Sequence, residues 1–133
     1  MRKSPIRGEQ GSFRFKREER LKGRNEIREV FSRGKQFSGR GAKLFVLKNS
    51  LPRNRICFTF SRRFGNAVKR NRARRLGREA YRYLRSRLVN GCDLILLVYP
   101  ETAAAGEAVI KKNELAARTE QLSFLLIKAG LLK

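Results

Sequence analysis

The stretch FGNAVKRNRARRLGREAYR, residues 64–82, places Arg70, Arg74, Arg78 and Arg82 at i, i+4, i+8 and i+12. On a helix these side chains stand one above another, where like charges repel by roughly 0.2–0.5 kcal/mol per pair. Guanidinium forks match phosphate oxygens bidentately, so a nucleic acid backbone would offset the repulsion. Glu79 can relieve part of it through Arg75 and Arg82. Asn71, a poor interior helix residue, sits between Arg70 and Arg72 and suggests a hydrogen bond made outward. Arg62 and Arg63 continue the charge just upstream.

Residue types for bond-breaking chemistry are scarce. The chain contains no histidine, and its carboxylates are scattered, with Asp93 the only aspartate. A protein nuclease commonly needs histidine as general acid or base, or carboxylates clustered around metal ions. Cys57 and Cys92 are too few and too far apart for a zinc pattern and read as two reduced thiols of a cytoplasmic protein. No catalytic residue and no metal ligand set is expected.

The 133 residues carry 33 lysines and arginines against 11 acids, a net charge of +22. Such a field favours an extended polyanion, because each phosphate neutralised releases condensed counterions. No run approaches the roughly 18 apolar residues of a membrane span. The N-terminus MRKSPIRGEQGSFRFKREER lacks the apolar core of a signal peptide.

Several elements must position the basic residues. Residues 1–20 read as a flexible basic arm with Phe13 and Phe15 as anchors, and residues 21–133 as one domain. NEIREVFSR predicts a short amphipathic helix with Ile27, Val30 and Phe31 on one face, Asn25 as cap and Gly34 as stop. KQFSGRGAK reads as a loop. KLFVLK (43–48) and RICFTFS, with Ile56, Phe58 and Phe60 on one face, read as an antiparallel hairpin turned at Asn49, Ser50 and Pro52.

The arginine helix is expected from Asn66 to about Leu88, with Val68, Ala73, Leu76, Ala80, Leu84 and Leu88 as its apolar stripe. Gly77 within it implies close packing against a neighbour. DLILLVY (93–99) suits a central strand covered on both faces, and a last helix is expected near 107–129 through Leu115, Leu122, Leu126 and Ala129.

SRRFGNAVKRNRARRLGREAYR closely resembles the signature of the bacterial ribonuclease P protein subunit, whose helix carries an Arg-Asn-Arg core followed by basic residues. RLKGRNEIREVFSRGKQF is similar to that family's first helix and its exit. The resemblance spans roughly residues 20–129. It implies an α+β fold, a single domain with a four-stranded sheet, helices packed on it and a left-handed βαβ crossover, as in domain 2 of ribosomal protein S5.

The resemblance further implies a protein that joins ribonuclease P RNA, in a 1:1 ratio, and supports removal of the 5′ leader from precursor tRNA. Mg²⁺ would be held mainly by the RNA. Carried over by position, Arg62, Arg63, Arg70, Asn71, Arg72, Arg74, Arg75 and Arg78 would face the catalytic RNA. Ile27, Phe31 and Phe45 would line a leader-binding cleft between the first helix and the sheet, with a plain core role for Phe31 as the alternative. Two positions depart from the family pattern: Ile27 replaces a usual aromatic, and Gly77 a usual bulky apolar residue. Composition alone would equally suit a ribosomal or other structural RNA-binding protein; only the ordered motif separates the two.

Overall fold

The structure, a computed structural model, describes residues 15–100 and 114–132. In chain order the elements are α1 (Arg24–Arg33), β1 (Lys35–Gly39), β2 (Ala42–Lys48), β3 (Arg55–Phe60), α2 (Ala67–Leu84), β4 (Cys92–Val98) and α3 (Glu114–Lys128). One four-stranded sheet runs in the order β1-β2-β4-β3.

β4 takes the centre because its side chains are apolar on both faces. Leu94, Leu96 and Val98 join the core under α2 and α3, while Ile95 joins a second cluster under α1. It pairs antiparallel with β2 and parallel with β3, so β3, α2 and β4 form a βαβ crossover between adjacent strands.

The expected hairpin between residues 43–48 and 55–60 does not form, since β4 lies between these strands. The hairpin is instead β1 with β2, and the segment expected as a loop supplies β1. Gly39 pairs with Ala42 across a two-residue turn. Arg40 (φ 54°) and Gly41 (φ 78°) both adopt positive φ there, as the tight hairpin turn that matches strand twist requires. α3 secures this turn: Gln121 Nε2 donates to the Arg40 carbonyl at 2.6 Å, and the Arg40 guanidinium lies 4.7 Å from the centre of the Phe124 ring.

α2 packs closely on β3 at Gly77, where an added Cβ would stand 2.7 Å from Phe58 Cδ1. Ala73, Ala80, Tyr81 and Leu84 bury the same side of the helix. Val68 does not belong to that stripe; it is 75% exposed. The α-helix ends at Leu84, a 3₁₀ turn over Arg85–Arg87 follows, and Leu88 is buried beyond it.

α1 begins one residue earlier than Asn25, with Gly23 at its N-cap and no side-chain capping bond, so Asn25 lies inside the helix. The last helix is described from Glu114, and its expected start at 107 lies outside the described residues. Within the expected arm, residues 15–20 are placed against the domain. Leu21 N donates to the Ile56 carbonyl at 3.0 Å, Arg20 forms a bridge to Ile56, and Phe15 meets Tyr81 edge-on at 5.8 Å. Phe13 lies outside the described residues.

Candidate RNA-binding surfaces

Two surfaces gather the residues singled out by the sequence, one on α2 and one between α1 and the sheet. Asn66 opens α2 by accepting from Lys69 N at 3.0 Å, a side-chain cap that sets the helix start. Successive i+4 steps drift about 40° around a helix, so the arginine ladder does not stay on one line. Each rung finds its own support within the chain.

Arg70 turns back onto carbonyls of the loop at 61–65, donating from Nε to Gly65 O at 3.0 Å and from Nη2 to Arg62 O at 3.2 Å and Ser61 O at 3.3 Å. Arg74 lies over the Phe60 ring at 5.4 Å and Arg78 over the Phe15 ring at 5.5 Å, cation–π contacts that place both along the β3 edge. Arg82 pairs with Glu79 at 2.7 Å. Intramolecular contacts therefore support each rung, with Glu79 relieving part of the repulsion at Arg82 as expected, while Arg74 and Arg78 still repel one another.

Burial, then the neighbouring Arg20 and Arg74 charges, lower the proton affinity of Arg78. The same edge reaches Cys57, whose thiol burial pushes up against the opposing pull of Arg74 and Arg78. Asn71 is exposed and accepts from Arg74 Nη1 at 2.9 Å. Arg72 leans the other way and pairs with Glu114 at the start of α3. Arg62, Arg63, Lys69 and Arg75 are exposed. Arg75 and Val68, seven residues apart, point away from the buried side of α2 together.

The second surface is the sheet face opposite α2 and α3. Leu21, Val30, Phe45 and Ile95 form a buried cluster there, with Ile27, Leu47, Cys57 and Leu97 partly buried around it. Phe31, at the last turn of α1, is 38% exposed and meets Phe45 edge-on, ring centres 4.8 Å apart at 72°. Phe45 itself is 6% exposed. Phe31 is thus the ring offered to solvent, while Phe45 supports it from beneath and Ile27 packs against the same buried cluster.

Strand register aligns Ser38, Lys43, Leu97 and Thr59 as a row across all four strands, next to the row of Gln36, Phe45, Ile95 and Cys57. Lys43, Leu97 and Thr59 remain half-exposed on the sheet face that carries Phe45 and Ile95. Sequence reasoning missed these three, because a row across a sheet exists only once the nonlocal pairing is known.

Behind Phe31, α1 is tied to the sheet through a buried ion pair. Arg55 on β3 donates to both oxygens of its register partner Asp93, at 2.8 and 2.7 Å, and Asn49 Nδ2 donates to Asp93 Oδ1 at 2.8 Å. Arg55 Nη1 also lies 3.6 Å from Glu26 Oε2 on α1. The hydrogen bond to Asp93 is the main reason Arg55 holds its proton more tightly than usual, with burial opposing. The sequence signal for this site was the one aspartate opening an apolar strand.

Among the described residues no three histidine, cysteine or acidic side chains cluster as metal ligands, and Asp93 and Glu26 are turned toward Arg55. That donor set does not fit a protein-held Mg²⁺. Among the described residues no helix is long and apolar enough to cross a membrane.

Comparisons with known proteins extend the signature in α2 to nearly the whole domain. A family model for ribonuclease P matches residues 15–122. The ribonuclease P protein component of Natranaerobius thermophilus is 44% identical over 77 residues, covering 58% of this chain and 67% of that protein. That of Shouchella clausii is 34% identical over 112 residues, covering 77% and 92%. Among solved structures, the ribonuclease P protein of Thermotoga maritima superposes with a TM-score of 0.67 at 25% identity over 80% of this chain and 96% of that one. The Staphylococcus aureus protein shares the fold, with a TM-score of 0.69 at 20% identity over 86% and 98%. An arginine helix on a β1-β2-β4-β3 sheet, a family match over residues 15–122 and agreeing solved folds together place the chain in the bacterial ribonuclease P protein family, the protein component of a tRNA-processing endoribonuclease.

Proposed function

We propose that the protein pairs with ribonuclease P RNA, one protein to one RNA, in a cytoplasmic particle that removes the 5′ leader of precursor tRNA. The RNA supplies the catalytic groups and holds the Mg²⁺ on which cleavage depends. The protein contributes two contact surfaces. Arg62, Arg63, Arg72, Arg75 and Asn71, with Lys69, meet phosphates of the catalytic RNA, while Arg74 and Arg78 extend the field along the β3 edge. The cleft of Phe31, over Phe45 and Ile27, receives the leader, with Lys43 beneath to neutralise its backbone. Stacking on an exposed ring is tolerant of base identity, which suits a processor of many leaders.

The observation that carries this reading is the pair Phe31 and Phe45, an exposed ring braced by a buried one between α1 and the sheet in a chain of charge +22. The α2 surface is tested by the salt dependence of binding to a bacterial ribonuclease P RNA. Replacing Arg63 and Arg75 by alanine removes two phosphate contacts and is expected to reduce the slope of log K against log[salt] by about 1.4–1.8. An unchanged slope, in a variant shown to be folded by circular dichroism, would count against this surface.

A further inference from the structure

Residues 61–65 connect β3 to the cap of α2, and they carry Arg62 and Arg63 on an exposed turn. The turn is held at each end by backbone bonds: Ser61 N donates to Val98 O at 3.0 Å, and Phe64 N to Ser61 O at 3.0 Å. Phe64 packs against Phe60, ring centres 4.6 Å apart. The carbonyls of Ser61 and Arg62, between these points, and of Gly65, just beyond them, all accept from the Arg70 guanidinium. Two of its three nitrogens are thereby directed into the turn, leaving a poor fork for a phosphate.

From this geometry we infer that Arg70 is a positioning residue: it organises the 61–65 turn so that Arg62 and Arg63 are presented to the catalytic RNA, and does not itself bind a phosphate. The inference rests on the RNA-facing role proposed for Arg62 and Arg63. A planar fork is needed, since a single guanidinium reaches three carbonyls from two nitrogens in fixed geometry. A lysine ammonium keeps the charge but is a point donor on a flexible stem.

The three roles open to Arg70 separate in one set of measurements: affinity for a bacterial ribonuclease P RNA as a function of salt, and amide exchange in the free protein. Arg70→Ala and Arg70→Lys are both expected to weaken RNA binding about tenfold, the loss of a charge-assisted brace. In both, the Phe64 amide exchanges faster than in the unaltered chain. In a chain already carrying Arg62→Ala and Arg63→Ala, the further change Arg70→Ala costs less than about twofold, because residues acting through one another are non-additive.

If Arg70→Lys instead binds with unaltered affinity and salt slope, or Arg70→Ala costs the same with and without Arg62 and Arg63, Arg70 contacts RNA directly and the inference is overturned. Faster exchange with unaltered RNA affinity would reduce Arg70 to a purely structural brace, which also overturns it. If the Arg62→Ala, Arg63→Ala chain binds RNA like the unaltered protein, the presentation role fails together with that part of the RNA surface.

Discussion

The Phe31 ring stands edge-on to Phe45, 4.8 Å between centres, with Phe31 on the solvent side and Phe45 sealed beneath it. The two phenylalanines therefore do different work. Phe31→Ala is expected to weaken precursor tRNA binding to the holoenzyme by about 1–3 kcal/mol, the worth of one stacked base. Mature tRNA lacks a leader, so its affinity stays unchanged. Phe45→Ala opens a cavity in the cluster of Leu21, Val30 and Ile95 and costs about 3–5 kcal/mol of folding stability. Thermal melts and both tRNA affinities on the two variants check the division. A large fall in melting temperature for Phe31→Ala, without selective loss of precursor, would return Phe31 to the core.

Asp93, 5% exposed, is held by Arg55 and Asn49. Asp93→Ala leaves the Arg55 guanidinium, itself largely buried, without its main partner. Breaking a buried pair in this way costs about 3–5 kcal/mol. Glu26→Gln removes only the outer, half-exposed contact at 3.6 Å and is expected to cost no more than about 1 kcal/mol. Urea titration of both variants provides the measurement; equal losses would show that the pair with Asp93 has no special weight.

Gly77→Ala improves helix propensity by about 1 kcal/mol, yet the added methyl meets the Phe58 ring at 2.7 Å. Overpacking in a close core costs about 1–3 kcal/mol, so net destabilisation is expected in a denaturation curve. A more stable variant would mean that α2 can move away from β3 at no cost.

Tyr81 is buried beside Phe15, and burial, aided by Glu19 and opposed by Arg85, pushes its phenol well up. The folded chain thus holds that proton more tightly than the unfolded chain, where tyrosine titrates near about 10. The corresponding stability is fully present below that pH and declines as pH rises above it. Tyr81→Phe is expected to flatten the decline without removing the part contributed by Cys57 and Cys92, whose thiols burial also pushes up. Stability measured by chemical denaturation from pH 8 upward shows the difference in slope, and identical slopes would contradict it.

The helices and β4 were legible because their signals are local: apolar spacing in α1 and α3, the run 93–99, and Asn66 before α2. β1 was hidden, since Phe37 is its one large apolar residue and its turn begins with arginine in place of the usual asparagine or glycine. The pairing of β2 with β4 depends on residues about fifty positions apart, and nothing between 43 and 60 announces that a third strand will enter. Val68 misled because it is apolar but five residues before Ala73, about 140° around the helix from it. The same geometry explains the ladder, whose i+4 spacing is visible in sequence while the drift that delivers Arg70 to a loop and Arg72 to Glu114 is not.

Cleavage of precursor tRNA at low Mg²⁺, by the protein alone, by a bacterial ribonuclease P RNA alone and by the two together, tests most directly the claim that this chain supports an RNA catalyst without supplying a bond-breaking group. The protein alone is expected to be inert, the RNA alone slow, and the mixture fast, with product cut once at the 5′ end of the mature tRNA. Cleavage by the protein alone, or a mixture no faster than the RNA, would contradict it.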